Sequence, residues 1–336
     1  METVGLCHTD LSMGVGGAIT DVPKILGHEG TGKVLKIGSK VTHVAVGDPV
    51  ILSFTWCGDC SPCKSGAPGY CYEFPQGNFI MNDLDETYVL DGQKIDGKFF
   101  GQSSFAKIGI VNGPSVVNVK HLNLDADTLA KFGPLGCGFL TGAGAITNAG
   151  EAKKDESCVI YGLGGVGFAA IMAAKIAGCN PIIGVDINEK KFDLAKKLGA
   201  THVIKGGDDA EVSKQIKELT GGHGAELSLE CIGGSRFVQN AVDNACHLGK
   251  IVYVGLAGME DVISIPSFPF MIGGKKLIGC TEGNARPYEF IEKMIGWHAK
   301  GQFPIEELQK TYKIEDFQLA VDDMKKGNVI KPILKY

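Results

Sequence analysis

Cys57, Cys60, Cys63 and Cys71 are separated by two, two and seven residues. A tetrahedral zinc ion needs four soft ligands within ~2.3 Å of the metal, and short Cys-x-x-Cys turns deliver pairs of sulfurs aimed inward. Gly58, Pro62, Gly66, Pro68 and Gly69 supply the turns. An iron–sulfur cluster also uses four cysteines and stays open as an alternative, as does a set of unrelated buried thiols. Four cysteines leave no position for water or substrate, so a metal here is expected to be structural.

A second set is more scattered. Cys7 lies in Gly5-Leu6-Cys7-His8-Thr9-Asp10, His28 in Gly27-His28-Glu29-Gly30, and Cys137 in Gly133-Pro134-Leu135-Gly136-Cys137-Gly138. Taken singly, a Cys or His is most often a packed core residue. The glycine-rich settings and the separate, already filled knuckle raise these three above that reading. Two thiolates and one imidazole make a three-ligand site whose fourth position is free, as catalytic zinc requires. Zinc there would act as a Lewis acid, lowering the pKa of a bound alcohol so that an alkoxide exists near neutral pH. Asp10 and Glu29 each adjoin a ligand and are candidates to hold it by hydrogen bonds; the plainer reading of each is a solvated surface charge.

Gly162-Leu163-Gly164-Gly165-Val166-Gly167 forms a third chemical motif, following an apolar run and opening a helical one. The glycines allow a tight turn, close approach to a pyrophosphate and close helix packing, while the helix N-terminus attracts phosphate. Asp186 comes 24 residues after Gly162. A carboxylate there accepts from the adenosine ribose 2′-OH and repels a 2′-phosphate, favouring NAD over NADP.

These motifs need two kinds of scaffold. The chain has 336 residues, which suits two domains. Residues 1–137 read as short strands with Gly, Pro and Asp turns, including an alternating strand over Gly32–Gly38 and a turn into a strand over Val46–Leu52. The pattern then changes. Ser157–Tyr161, Pro181–Val185 and His202–Ile204, with further strands near Leu227 and Ile251, alternate with helices at Val166–Ala177, Glu189–Leu198 and Ala210–Thr220. That alternation predicts a parallel, doubly wound sheet in an α/β protein. After about Glu282 the chain is helical, and its tail is expected to return to the first domain.

Composition excludes other classes. Hydrophobic residues make up 44% and charged residues 21%, with a net charge of −5 and no basic block, so neither nucleic acid nor an anionic membrane is an expected partner. The start of the chain lacks the charged and apolar regions of a signal peptide. Val159–Ala177 is apolar enough to resemble a membrane span, but its glycines and Lys175 fit a buried strand, turn and helix better. Eleven cysteines without a secretion signal point to a reducing, cytoplasmic location and to metal binding.

Together these motifs resemble, in order and over nearly the whole chain, the zinc-containing alcohol dehydrogenases of the medium-chain dehydrogenase/reductase superfamily. The segments Gly133–Gly138 and Phe99-Phe100-Gly101-Gln102-Ser103-Ser104-Phe105 look closest to microbial aryl (benzyl) alcohol dehydrogenases. The resemblance implies a GroES-like, mostly β catalytic domain (1–137, with a zinc lobe at about 54–79), a Rossmann NAD-binding domain (138–282) and a C-terminal segment (283–336) completing the first. It implies two Zn2+ per chain: Cys7, His28 and Cys137 around a catalytic ion, and Cys57, Cys60, Cys63 and Cys71 around a structural one. By the same likeness Thr9 takes the substrate proton, and His8, Thr141, Lys191 and Lys331 contact the cofactor beside Gly162, Gly164, Gly165, Val166, Gly167 and Asp186. The resemblance also implies a homodimer or homotetramer.

The chain departs from the family pattern in places. Only six residues precede Cys7, whereas the family carries further strands ahead of this ligand, so the first domain is expected to be N-terminally truncated with bare barrel edges. Ser12 stands where many members have a proton-relay histidine. Cys137, where polyol dehydrogenases carry glutamate, argues against that branch. Phe54 and Trp56 are read either as pocket walls or as core. The leading function is hydride transfer between a primary, aromatic or bulky hydrophobic alcohol/aldehyde pair and NAD. The alternatives are a truncated, non-catalytic relative that keeps fold and metals, a zinc-free quinone reductase, and a nucleic-acid-binding zinc module, which the absent basic face disfavours.

Overall fold

The computed structural model describes residues 1–14, 23–80, 88–258 and 260–336. By contact density the chain divides into one unit of Met1–Leu140, Ala285–Gly296 and Ile305–Tyr336, and another of Thr141–Asn284 with Trp297–Pro304.

The first unit carries β1 (Thr3–Gly5), β2 (Gly30–Lys33), β3 (Pro49–Leu52), the β4–β5 ribbon (Tyr88–Leu90, Gln93–Ile95) and β6 (Val116–Asn118). The second carries β7 (Cys158–Tyr161), β8 (Ile182–Asp186), β9 (His202–Lys205), β10 (Ala225–Glu230), β11 (Ala245–Tyr253) and β12 (Lys276–Gly279). Near the C-terminus β13 (Gln309–Lys313) and β14 (Lys331–Lys335) complete the first unit's sheet, whose order is β13-β14-β1-β2-β3-β6. The tail therefore returns to the first unit, as its sequence suggests. β1 is not an edge: it pairs antiparallel with β14 on one side and β2 on the other, and the sheet's edges are β13 and β6.

The strand expected over Gly32–Gly38 stops at Lys33. Its partner β3 begins at Pro49, opposite Lys33; Val34 still pairs with the turn before β3, donating to the Asp48 carbonyl at 3.1 Å and accepting from Gly47 N–H at 2.8 Å, and beyond it Leu35 and Ile37 lie exposed. Sequence alternation by itself cannot reveal where the partner ends.

The second unit's sheet runs β12-β11-β10-β7-β8-β9 with every pair parallel. Strand order reverses between β7 and β10, the point where doubly wound sheets bind ligands at their carboxyl ends. Helix Gly165–Ala177 follows β7, and its residues Gly167–Ala174 are all buried. A strand and helix buried on both faces explain why Val159–Ala177 resembles a membrane span, and no helix among the described residues is long and apolar enough to cross one. The helix expected over Glu189–Leu198 opens with a 3-10 turn, Glu189–Lys191, capped by the Asn188 side chain, which accepts from Lys190 N–H at 3.1 Å.

Gly162, with φ of 92°, turns the chain out of β7. At Gly167 a Cβ would lie 1.9 Å from the Gly162 carbonyl oxygen and 3.5 Å from Ile160 Cγ2. The helix can cross the strand end this closely only without a side chain. Gly167→Ala is expected to destabilise the protein by ~1–3 kcal/mol through overpacking and to weaken NADH binding. Thermal unfolding and NADH fluorescence titration check this; an unchanged melting temperature would show that the turn has room to move.

Candidate active site and metal centres

The pairing of β1 with β2 brings the first two scattered ligands together. Val4 sits opposite Gly30, and Gly5 N–H donates to the Glu29 carbonyl at 3.0 Å. Cys7, two residues past β1, thereby comes beside His28, two residues before β2. Cys137 arrives on the 3-10 turn Gly133–Gly136, tied to the residue after β3 by a hydrogen bond from Ser53 Oγ to the Gly136 carbonyl at 2.6 Å. The ligand atoms of Cys7, His28, Glu29 and Cys137 all lie within 4.8 Å of one another.

Asp10 organises the first two. Its carboxylate accepts from Cys7 N–H at 3.0 Å, Gly27 N–H at 3.0 Å and His28 Nδ1 at 2.9 Å. An ionised carboxylate only accepts, so the imidazole proton sits on Nδ1 and the Nε2 lone pair is left to face the cluster. His28 Nε2 is buried without a hydrogen-bond partner. A buried unsatisfied nitrogen costs ~1–3 kcal/mol, a penalty that a bound cation removes. The Cys137 thiol donates to the Cys7 sulfur and, against the effect of burial, holds the Cys7 thiol well below its ordinary value. The donor set suits zinc: two sulfurs and one imidazole nitrogen.

Glu29 is turned to another partner. Lys331 Nζ on β14 donates to its two carboxylate oxygens at 2.8 and 2.9 Å and to the Leu6 carbonyl at 3.2 Å. Gly138 N–H donates to Glu29 Oε1 at 3.2 Å. Burial opposes the ammonium, but the Glu29 carboxylate outweighs it and keeps Lys331 charged, above the usual lysine value. Lys331 is 4% exposed, so its ammonium is engaged inside the first unit.

Thr9 Oγ1 stands 3.7 Å from Cys7 Sγ on helix His8–Gly14. Ser12 lies on the same helix with its side chain exposed, and His8 is exposed at its start.

In the four-cysteine lobe the sulfurs of Cys57 and Cys63, Cys60 and Cys63, and Cys60 and Cys71 are 4.0, 3.4 and 3.9 Å apart. Sulfurs at ~2.3 Å from a common tetrahedral centre stand ~3.8 Å from each other, so the spacing matches an ion-sized gap. Backbone N–H groups of Tyr72 and Cys63 donate to the Cys60 sulfur and lower its thiol to about 6, whereas burial pushes the Cys63 thiol up to about 12 and raises that of Cys71. Asn78 closes the lobe. Its Oδ1 accepts from Thr55 N–H at 2.9 Å, and its Nδ2 donates to the Thr55 and Phe74 carbonyls at 3.0 and 2.9 Å. Phe54 is 1% exposed and packs on Phe74 and Trp56, so the core reading holds for it; Trp56 is half-buried beside Tyr288.

In the second unit the Gly162–Gly167 turn lies at the carboxyl end of β7. Asp186, at the end of β8, accepts from Leu163 N–H at 2.7 Å, Asn188 N–H at 2.8 Å and Lys191 Nζ at 3.0 Å. It therefore also pins the glycine turn, a role its position in the sequence does not suggest. Thr141 Oγ1 lies 3.5 Å from Glu282 Oε2, a partner that sequence reading misses. Asn78 and Gln102 are missed too. Gln102 Nε2 donates to the His28 and Ser53 carbonyls at 2.9 and 3.0 Å. Asn78 reaches Thr55, 23 residues away, and Gln102 reaches His28, 74 residues away, pairings that no local pattern marks.

Residues 1–118 match the family described as alcohol dehydrogenase GroES-like domain, and residues 165–300 match zinc-binding dehydrogenase. A geraniol dehydrogenase from Castellaniella defragrans is 35% identical over 99% of this chain and 88% of its own length. The structure of benzyl alcohol dehydrogenase from Acinetobacter calcoaceticus is similar with a TM-score of 0.91 and 38% identity, over 99% of this chain and 90% of that one. That of an alcohol dehydrogenase zinc-binding domain protein from Burkholderia ambifaria gives a TM-score of 0.93 and 35% identity over the same shares. Likeness of this extent, running through both units and over nearly the whole chain, places the protein: it belongs to the zinc- and NAD-dependent alcohol dehydrogenases of the medium-chain dehydrogenase/reductase superfamily, which interconvert alcohols and aldehydes.

Proposed function

We propose that the chain oxidises a primary aromatic or bulky hydrophobic alcohol, or reduces the matching aldehyde, at the Cys7–His28–Cys137 site, with a second zinc held structurally by Cys57, Cys60, Cys63 and Cys71. The observation that carries this reading is the buried, unpartnered His28 Nε2 within 4.8 Å of two cysteine sulfurs, its other nitrogen held by Asp10. The substrate class is supported by the names of the similar proteins, which act on geraniol and benzyl alcohol. When bound, zinc supplies the Lewis acidity that eases loss of the alcohol proton, and NAD supplies the hydride acceptor.

The chain's own residues do the rest. Thr9, beside Cys7, takes the hydroxyl proton, and Ser12, one helical turn on and exposed, passes it to solvent. Asp10 orients the imidazole, and the Glu29–Lys331 pair stiffens the backbone next to two ligands. The second unit holds the cofactor: the turn Gly162–Gly167, with Gly164, Gly165 and Val166 at the helix start, faces the pyrophosphate, Asp186 and Lys191 the ribose, and Thr141 the nicotinamide. The catalytic domain corresponds to residues 1–137 with 283–336, and the NAD domain to 138–282. By the family resemblance His8 contacts the pyrophosphate. Six of the seven ligands in this scheme are cysteines that must stay unoxidised, which suits the cytoplasm.

A homodimer or homotetramer is also proposed. β12 is an edge strand, and Leu248, Phe268, Met271 and Ile272 nearby in the second unit are 57–76% exposed. An apolar edge of this kind pairs readily with a copy of itself. Light scattering is expected to give at least twice the 35.5 kDa chain mass; a monomer at micromolar concentration would reject this.

Elemental analysis of unchelated protein is expected to find two zinc ions per chain. Cys60→Ser should impair folding, because structural zinc contributes to folding outright, whereas Cys137→Ser should keep the fold and lose turnover of benzyl alcohol with NAD. One zinc or fewer in the unmodified protein overturns the two-site scheme.

Asp186→Asn keeps the side chain's shape but removes its charge. Hydrogen bonds to charged groups are worth ~1.5–3 kcal/mol, so KM for NAD is expected to rise about tenfold or more while discrimination against NADP relaxes. Steady-state kinetics with both cofactors decide it: an unmodified protein that already prefers NADP in kcat/KM contradicts the role given to Asp186.

A further inference from the structure

Phe100 has φ of 53° and ψ of 31°, inside a 3-10 turn, and is 3% exposed. Left-handed backbone is uncommon for a bulky side chain and persists only where the surroundings hold it. The Phe100 turn is hydrogen-bonded, Ser115 Oγ donating to the Phe100 carbonyl at 3.3 Å, and the side chain sits in a set of rings. Phe100 lies face to face with the His28 imidazole, centroids 4.4 Å apart and planes 21° from parallel. Phe99 meets the same imidazole edge-on, at 5.4 Å and 85°. Behind Phe100 stand Phe79 at 5.2 Å and 86°, and Phe74 at 6.5 Å and 89°. Phe74 and Phe79 follow directly on the four-cysteine lobe, and Phe74 N–H donates to the Cys71 carbonyl at 2.9 Å.

We propose that Phe100 is a positioning residue for the open metal site, fixing the plane of the His28 imidazole, and that the four-cysteine lobe braces it through Phe74 and Phe79. The inference rests on the reading of His28 as a metal ligand. Asp10 fixes which nitrogen carries the proton, but a single hydrogen bond to Nδ1 leaves the ring free to rock about that bond. Rocking swings Nε2 away from the two sulfurs. A flat ring packed on one face, with Phe99 at the edge, removes that freedom, as offset and edge-to-face aromatic contacts have preferred geometries. Gln102 anchors the backbone of the same residue through the His28 carbonyl. The lobe, otherwise remote in sequence from His28, thus touches the open site through one ring.

The test uses the full-length protein with cobalt replacing zinc, whose visible spectrum reports ligand geometry. Phe100→Leu keeps apolar bulk but no flat face. It is expected to shift the open-site cobalt bands and to release that metal to a chelator about tenfold faster, the size typical of groups that orient metal ligands. Release from the four-cysteine site should stay unchanged. Phe100→Tyr, which keeps the ring, is expected to restore the unmodified spectrum and release rate. Phe74→Leu, one contact further back, should move the same bands in the same direction, and it serves if Phe100→Leu does not fold. Phe100→Leu with the spectrum and release rate of the unmodified protein overturns the positioning role. Phe74→Leu that alters only the four-cysteine site overturns the brace. An unmodified protein without a cobalt–thiolate spectrum at the open site overturns the ligand reading itself, and this inference with it.

Discussion

The Asp10 carboxylate receives three hydrogen bonds from two chain segments: Cys7 N–H on one side, Gly27 N–H and His28 Nδ1 on the other. Asp10 is 2% exposed, and a charge buried to that degree is tolerable only when its lone pairs are fully used. The two segments cannot separate without stranding it, and each carries a proposed ligand. The orientation of His28, the approach of Cys7 and the unpartnered Nε2 all follow from this constraint. So does the value of the rings around the imidazole, which limit the motion that Asp10 leaves free.

The Glu29–Lys331 pair performs a similar task at longer range. Residues 302 positions apart meet in the interior, joining the last strand to the segment before β2. Pairs of this kind add little net stability over apolar packing, but removing one partner strands a buried charge. Its structural consequence is therefore specificity: β14 has one register against β1 in which Lys331 reaches both Glu29 and the Leu6 carbonyl. The C-terminal segment is in this way part of the ligand scaffold rather than an appendage.

In the second unit, Asp186 combines two demands. In the proposed scheme it keeps lone-pair capacity for a ribose, and it accepts from Leu163 N–H within the glycine turn. The carboxylate proposed to discriminate between cofactors thus also holds the glycine turn, and Lys191 compensates its charge. Glu230 at the end of β10 does the same for the neighbouring loop, accepting from Ile232 and Gly233 N–H, where Ile232 packs against Gly162. Both carboxylates sit at the carboxyl ends of β8 and β10, the strands on either side of β7, where backbone N–H groups of the loops lack ladder partners.

Sequence alone determined what depends on local spacing. The Cys-x-x-Cys turns, the glycine turn between an apolar strand and a helix, and the alternation of β7 to β10 with their helices all arise from interactions a few residues long. The ligand triplet was legible only as residue types in glycine-rich settings with a family resemblance, since nothing local says that Cys7, His28 and Cys137 meet. Tertiary structure decided that through the register of β1 on β2 and the turn docked on Ser53. It also decided that Lys331 serves Glu29, that Phe54 is core, that Asn78 and Gln102 lock loops, and that Phe100 lies on His28. The hydrogen bonds among them that join Asn78 to Thr55, Gln102 to His28 and Lys331 to Glu29 span 23, 74 and 302 positions. The physical reason is common to them: hydrogen-bond partners and packing faces for a buried side chain are chosen by whichever segments the sheet brings together, and that information is spread over the whole chain.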